Sequence, residues 1–414
     1  MRPPLAGFKV LDLTRILSGP YASMLLADLG AEVVKVERPG SGDDTRLWGP
    51  PFLNGMSTYF AAVNRGKRSV CIDLEHDRGR QLVRSMAEGV DAVIENFRPG
   101  VTERLGLDYA SLCAANPALI YASITGFGSR GPKAHEAGTE VIVEAETGMM
   151  AMMGTPDGPP VRFGVAMVDI ATGMALVSGV LAAALERVHT GSGRRLEFPL
   201  YATAFSCLAT VIASASVDPS SQEGRWGSGH PSIVPYAAFP VHDGFVVLGA
   251  INEPMWARLC ESLGLDELRS DPRATTNEVR VRNRSFVESA LASALAEMSA
   301  AAVTERLDRA GVLVAPVRTA GQAIEDPQVA ELGLLDEIDG VRFAVSPLSQ
   351  FNPRALAPAQ PLGQDSAGVL AEYLGLSDDR LDSLIDQGVV QTADTRRPPT
   401  SHAAGQAKAQ RSSI

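Results

Sequence analysis

FKVLDLTRILSGPYASMLLADLGAEVVKVE, residues 8–37, is the stretch whose reading decides the fold. FKVLDLT (8–14) clusters apolar groups as a buried strand does, and AEVVKVE (31–37) is a second strand of the same kind. Between them, SGPYASMLLADLG reads as a helix with Pro20 near its first turn. Strand, helix and strand so closely spaced make a βαβ unit, with the two strands parallel and the crossover right-handed. Outward from it the alternation continues: SVCIDL (69–74), a helix from Arg78 to Glu88, DAVIENF (91–97) and LIYASITGF (119–127). The expected fold class is α/β, with a Rossmann-like large domain and a smaller α+β domain. The turn after the first strand is TRILSGP rather than G-x-G-x-x-G, so a dinucleotide is not the expected ligand.

Ligands of such sheets still gather at the carboxyl ends of the strands, and the basic residues fall there. Arg15 follows the first strand, Arg38 the second, and Arg98 follows DAVIENF, with Arg104 in the short helix behind it. Lys67 and Arg68 precede the next strand in NRGKRS. A lone Arg or Lys is ordinarily solvated surface. Several such loops converging on one sheet edge suit a ligand that carries phosphates, held by forked guanidinium contacts and helix N-termini.

The chain has 414 residues, 45% of them hydrophobic, enough for two or three domains with a large core. Its formal net charge of −11 argues against a nucleic-acid partner or an anionic membrane surface. Cys71, Cys113, Cys207 and Cys260 are widely spaced, which suits buried thiols in a reducing cytoplasm and neither disulfides nor a metal site. MRPPLAGFKV has no apolar run, so no signal peptide is expected. LYATAFSCLATVIASASV (200–217) nearly reaches the length of a membrane span, but its Ser and Thr content reads as a buried core helix. The expectation is a cytoplasmic protein without a membrane partner.

A second informative stretch is VRFGVAMVDIATGMALVSGVLAAALERVHTGSGRRLEFPL, 161–200. Apolar and small residues fill every face from Ile170 to Leu185, which predicts a helix buried all round. Asp169 at its mouth is a cap accepting the Thr172 amide, or a reagent, and the two readings are compatible. Upstream, GPKAHEAGTEVIVEAETGMMAMMG (131–154) puts Glu140 and Glu144 on one helical face, with Glu146 pointing away. Downstream, VDPSSQEGRWGSGHPSIVPYAAFP is rich in Gly, Pro and Ser and reads as a linker. The strand GFVVLGAIN, the helix EPMWARLCESLGL, two further helices and the strand VLVAPVRT then form a second domain. The expected organisation is a large domain at 1–217, linker and small domain at 218–325, a return to the large domain at 326–390, and a disordered tail at 391–414.

LDLTRILSGPYASMLLADLGAEVVKVERPGSGDDTR, NRGKRSVCIDL, DAVIENFRPGVTERLGLDY, the D-x-x-T-G around Asp169 and RVHTGSG together resemble the class III CoA-transferases, over roughly residues 5–390. That group includes the formyl-CoA and carnitine CoA-transferases and the α-methylacyl-CoA racemases. The resemblance implies two subunits interlocked like linked rings, and no permanently bound cofactor, the coenzyme A thioester being a substrate. It implies that Asp169 is the nucleophile, passing through a mixed anhydride and an aspartyl-CoA thioester. Glu140 matches an acidic position near that nucleophile. The implied coenzyme A contacts are Arg15, Ile16, Arg38, Asn96, Phe97, Arg98 and Arg104. The segment GSGHPSIVPYAAFPVHDGFVVLGAINEPMW is similar to members that handle four- and five-carbon dicarboxylates with succinyl-CoA, where Arg46, Arg225 or His230 could meet the far carboxylate. The alternative on the same fold is an α-methylacyl-CoA racemase, but Gly138-Thr139-Glu140 stands where racemases carry G-H-D, which removes the base partner. A non-catalytic CoA-binding protein is the third reading, and an intact Asp169 argues against it.

Overall fold

A computed structural model describes residues 2–219, 224–352 and 357–393; most of the expected tail lies outside the described residues. The described residues divide into two compact units, one within 2–143, 166–205, 333–352 and 357–393, the other within 144–165, 206–219 and 224–332.

The first unit is built on a seven-stranded sheet. Six strands run parallel: β1 (Lys9–Asp12), β2 (Glu32–Glu37), β3 (Arg68–Ile72), β4 (Ala92–Glu95), β5 (Ile120–Thr125) and β6 (Arg194–Pro199). Their spatial order is β3-β2-β1-β4-β5-β6, and Val390–Gln391 adds an antiparallel edge beside β3. The order reverses between β1 and β4, the point where an open α/β sheet leaves a crevice at its carboxyl edge. The strands read from the sequence are all present within a few residues, while β6 carries no strand in the sequence reading. RRLEFP has no buried apolar run, and it is held by pairing with β5 from Ile120↔Arg194 to Thr125↔Pro199.

Helix α1 (Ser18–Asp28) crosses from β1 to β2. Short helix α2 (Glu140–Thr147) precedes the long helix α3 (Met167–Thr190). The expectation that α3 is buried all round is overturned. Val168, Thr172, Gly173, Leu176, Val177, Val180 and Ala183 are buried, whereas Met174, Leu181, Leu185 and Val188 are exposed. The apolar residues on its outer face are left partly exposed in a single chain, which composition alone does not record. By length and composition α3 is apolar enough to cross a membrane. The continuous helix expected over 200–217 is two helices, α4 (Leu200–Cys207) and α5 (Ala209–Val217), bent by 65°.

In the second unit β7 (Tyr236–Val241), β8 (Gly244–Gly249) and β9 (Leu313–Pro316) form an antiparallel sheet in the order β9-β8-β7. Its core gathers Phe239, Val246, Leu248, Trp256, Leu259, Leu291 and Leu307. Fully buried Arg280 is neutralised there by Glu253 at 2.9 Å and lies over the Trp256 ring. Cys71 and Cys260 are buried thiols, both pushed up to about 12 by burial, but Cys207 is exposed.

Candidate functional site

The loop between β1 and α1, Leu13–Leu17, is held rigid from below by buried charges. Asp12 and Lys35 face each other across the β1–β2 register. Lys67 donates to Asp12 at 3.1 Å, and Lys35 to Asp43 at 3.0 Å and to the Thr14 carbonyl at 2.8 Å. Asp12 accepts the Thr14 amide at 2.9 Å. Burial alone would raise the Asp12 and Asp43 carboxyls, but the lysines override it and hold both below the ordinary carboxylate range. Ile16 adopts a left-handed φ of 72°, a conformation with a real energetic cost for a β-branched residue. Its amide donates to both Asp43 oxygens at 3.3 Å, and Asn96 clamps Arg15 by a reciprocal pair of backbone bonds at 2.9 and 2.8 Å.

A cavity of about 380 Å³ opens above this loop at the carboxyl edge of the sheet. Arg15, Arg38, Phe97, Arg98 and Arg104 line it. Ile16 and Asn96 are not on its wall; they shape the loop instead. The Arg15 guanidinium lies over the Phe97 ring at 5.8 Å. Asp44 pairs with Arg38 at 2.6 Å and Arg15 at 3.7 Å, and Glu75 grips Arg104 at 2.9 and 3.1 Å. Among the described residues Arg98 has no polar partner, so its five donors face the cavity unclaimed.

The other basic candidates are structural. Lys67 is buried on Asp12 and Asn64, and Arg68 is tied to Glu32 and Glu372, each at 2.8 Å. Arg46 forks onto Glu37 at 2.7 Å and stacks over Phe60, so it is not free to meet a substrate carboxylate. In the second unit Arg225 donates to the carbonyls of Thr155, Pro156 and Gly158, and His230 stacks on Tyr236.

Asp169 is not the cap of α3. The helix starts two residues earlier, Ala166 is the capping residue without a side-chain bond, and Asp169 lies inside the first turn. The capping work falls to Glu140 at the start of α2, whose Oε1 accepts the Val168 amide at 3.1 Å. A helix leaves its first amides without partners, so a carboxylate from another helix satisfies one here and adds favourable charge at the positive end. Glu144 is buried beside Glu140 on that helix and Glu146 is exposed, as the spacing predicts.

The D-x-x-T-G motif has a geometric reason. Gly173 lies one turn after Asp169 on the same face, and a Cβ built on it would come within 2.8 Å of the Ser18 carbonyl. Only glycine lets the start of α1 approach that closely, and the approach puts the Ser18 hydroxyl in a donating hydrogen bond to Oδ1 of Asp169. Thr172 Oγ1 returns a bond to the Val168 carbonyl at 2.7 Å. Asp169 is half-buried: burial raises its carboxyl above the ordinary value, and the Ser18 bond only partly offsets that. Ser18 was not singled out by the sequence reading. It stands more than 150 positions from Asp169, and only the helix crossing joins them.

Such a site offers a carboxylate at a helix start and a crevice lined by four arginines, three of them paired to carboxylates. Residues 5–366 match CoA-transferase family III. The chain is 39% identical over 400 residues to the succinyl-CoA:glutarate CoA-transferase of Mus musculus, covering 95% of this chain and 92% of that one. It is 38% identical to the succinate–glutarate CoA-transferase of Agrobacterium fabrum, over 90% of this chain and 96% of that one. Among solved structures it is similar to a CaiB/BaiF family protein of Brucella suis, with a TM-score of 0.82 at 37% identity over 90% of this chain and all of that one. The parallel sheet, its strand order and these likenesses agree: the chain belongs to CoA-transferase family III.

Proposed function

We propose that this protein transfers coenzyme A from a donor thioester such as succinyl-CoA to a small dicarboxylate. The observation that carries this reading is Asp169 in the first turn of α3, half-buried and bonded to Ser18, in a chain similar over most of its length to dicarboxylate CoA-transferases. The relatives that act on succinyl-CoA and glutarate point to glutarate, one of the five-carbon dicarboxylates expected from sequence, as the acceptor. Asp169 attacks the donor carbonyl and expels coenzyme A as thiolate, and the thiolate then returns to the aspartyl carbonyl, leaving an aspartyl-CoA thioester. The acceptor acid reverses the two steps. Arg15, Arg38, Arg98 and Arg104 hold the phosphates in the cavity, with Phe97 against the adenine, while Ile16 and Asn96 set the loop that they share. Glu140 acts on the nucleophile's helix rather than on substrate. A permanent cofactor and a metal have no part in this chemistry.

Asp169→Asn tests the reading. The amide keeps the shape and can still accept from Ser18, but it cannot form the anhydride. Transfer from succinyl-CoA to glutarate should fall by at least about 10³-fold, while coenzyme A binding by calorimetry is retained. Residual activity above about a hundredth of wild type would remove Asp169 from the nucleophile's role. The racemase alternative predicts α-deuteration of acyl-CoA in deuterated water without an acceptor acid. Transfer breaks only the thioester and leaves the α-hydrogen in place, so no deuterium should enter.

A further inference from the structure

Ser18 occupies the first position of α1 and is buried, with 4% of its surface exposed. Its hydroxyl donates to one specific oxygen of Asp169, Oδ1. The hydroxyl is not held there by chance packing. Gly173 opens the helix crossing, Gly19 packs its Cα face on Thr14, and the Asp12–Lys35–Asp43 charges fix the loop that leads into α1.

We propose that Ser18 is a second catalytic residue, whose hydroxyl selects the attacking oxygen of Asp169 and then stabilises the oxyanion that forms on the other. This rests on the assignment of Asp169 as nucleophile. With Oδ1 held, the lone pairs of Oδ2 are the ones free to attack. The new bond joins Oδ2 to the donor acyl carbon, the carbon–sulfur bond breaks, and coenzyme A departs as thiolate. In the second step the thiolate adds to Cγ of Asp169, and negative charge develops on Oδ1, where the Ser18 hydroxyl already points. Collapse forms the aspartyl thioester, breaks the Cγ–Oδ2 bond and releases the donor's acid as carboxylate, carrying Oδ2 with it. No proton is exchanged with Ser18 at either stage. A donor fixed before charge develops needs no reorganisation, which is where such groups gain most.

The ionisable groups on elements packed around this turn are Glu140 of α2, bonded to the Val168 amide, and Tyr21 of α1 beside Gly173. Further along α3, β6 brings Arg194, Arg195 and Glu197, the last held by Ser129. Among the described residues none supplies a second hydrogen-bond donor to Asp169, so removing the hydroxyl leaves burial unopposed.

The test mixes enzyme with succinyl-CoA alone and follows the aspartyl-CoA adduct by rapid quench and intact mass. Wild type should form it and Asp169→Asn should not. In Ser18→Ala the adduct should form about 10²-fold more slowly, with coenzyme A affinity unchanged. The acidic limb of kcat/KM should move to higher pH. Ser18→Thr, which keeps a hydroxyl, should recover most of the rate. Should Ser18→Ala fail to fold, Ser18→Cys has nearly the same shape with a weaker donor and carries the same comparison. A folded Ser18→Ala that forms adduct near the wild-type rate with its pH limb in place overturns the role of Ser18 and leaves Asp169 standing. Absence of any adduct in wild type overturns the nucleophile itself.

Discussion

At Asp169 burial and hydrogen bonding pull in opposite directions. Burial raises the carboxyl and Ser18 lowers it, with burial the larger influence, so the group ionises above its ordinary value of 3.8. Transfer needs the carboxylate, so kcat/KM should fall as pH drops through a limb above 3.8, and a limb at or below that value would contradict the environment described. Glu95, at the end of β4, is a sharper case. Burial pushes its carboxyl up to about 7, against the opposing hydrogen bonds of Ser123 and the Phe97 amide. The folded protein therefore binds this proton more tightly than the unfolded chain does. Stability is undiminished below 4.5, falls as pH rises toward about 7, and carries a constant penalty above that. Glu95→Gln does not ionise. It should gain on wild type by at most about 3 kcal/mol between acid and neutral pH, read from paired thermal melts. A difference between the two proteins that does not vary with pH would refute this.

The β1–β2 pair shows what one element asks of its neighbour. Charged residues in the middle of two apolar strands were visible in FKVLDLT and AEVVKVE, but their partners were not. Register puts Lys35 opposite Asp12, and the loop after β2 then brings Asp43 to the same ammonium. Burial would raise Glu37 as well, and Arg46 overrides it. With folded carboxyls held below their ordinary values, the stability these groups contribute is present above about pH 4.5 and lost as pH falls through the folded values. Lys35→Met leaves Asp12 and Asp43 short of a counter-charge in the interior. It should cost about 3–5 kcal/mol in urea unfolding, as breaking a buried pair does, and should also loosen the Arg15–Leu17 loop. A loss below about 1 kcal/mol, the range of surface pairs, would show that the network is solvated.

On the scale of the whole molecule, the outer stripe of α3 is the unfinished feature. Met174, Leu181, Leu185 and Val188 share a face at helical spacing and are exposed in a single chain. A homodimer, the partner implied by the family resemblance, would cover such a face. Leu185→Asp with Val188→Asp should lower the solution mass by light scattering or render the protein insoluble, whereas a wild type that is a folded monomer at nanomolar concentration would exclude the dimer. Local pattern was enough for five strands of the sheet: 8–14, 31–37, 69–74, 91–97 and 119–127 announced themselves by apolar clustering between helices. Local pattern also marked the cavity arginines, because Arg15, Arg38 and Arg98 each follow a strand end that any parallel sheet turns toward one edge, with Arg104 in the helix just behind. It misjudged α3, since composition records how apolar a face is and not whether anything covers it. It missed β6, whose charged residues and lack of a fully buried position hide it and which is held by its neighbour. Sequence by itself determined a Rossmann-like sheet with Asp169 at a helix start. Only the tertiary structure decided that Glu140 caps that helix, that Lys67, Arg68 and Arg46 are committed to internal carboxylates, and that Ser18 meets Asp169. Each of these depends on a contact between residues far apart in the chain, and no local periodicity encodes such a contact.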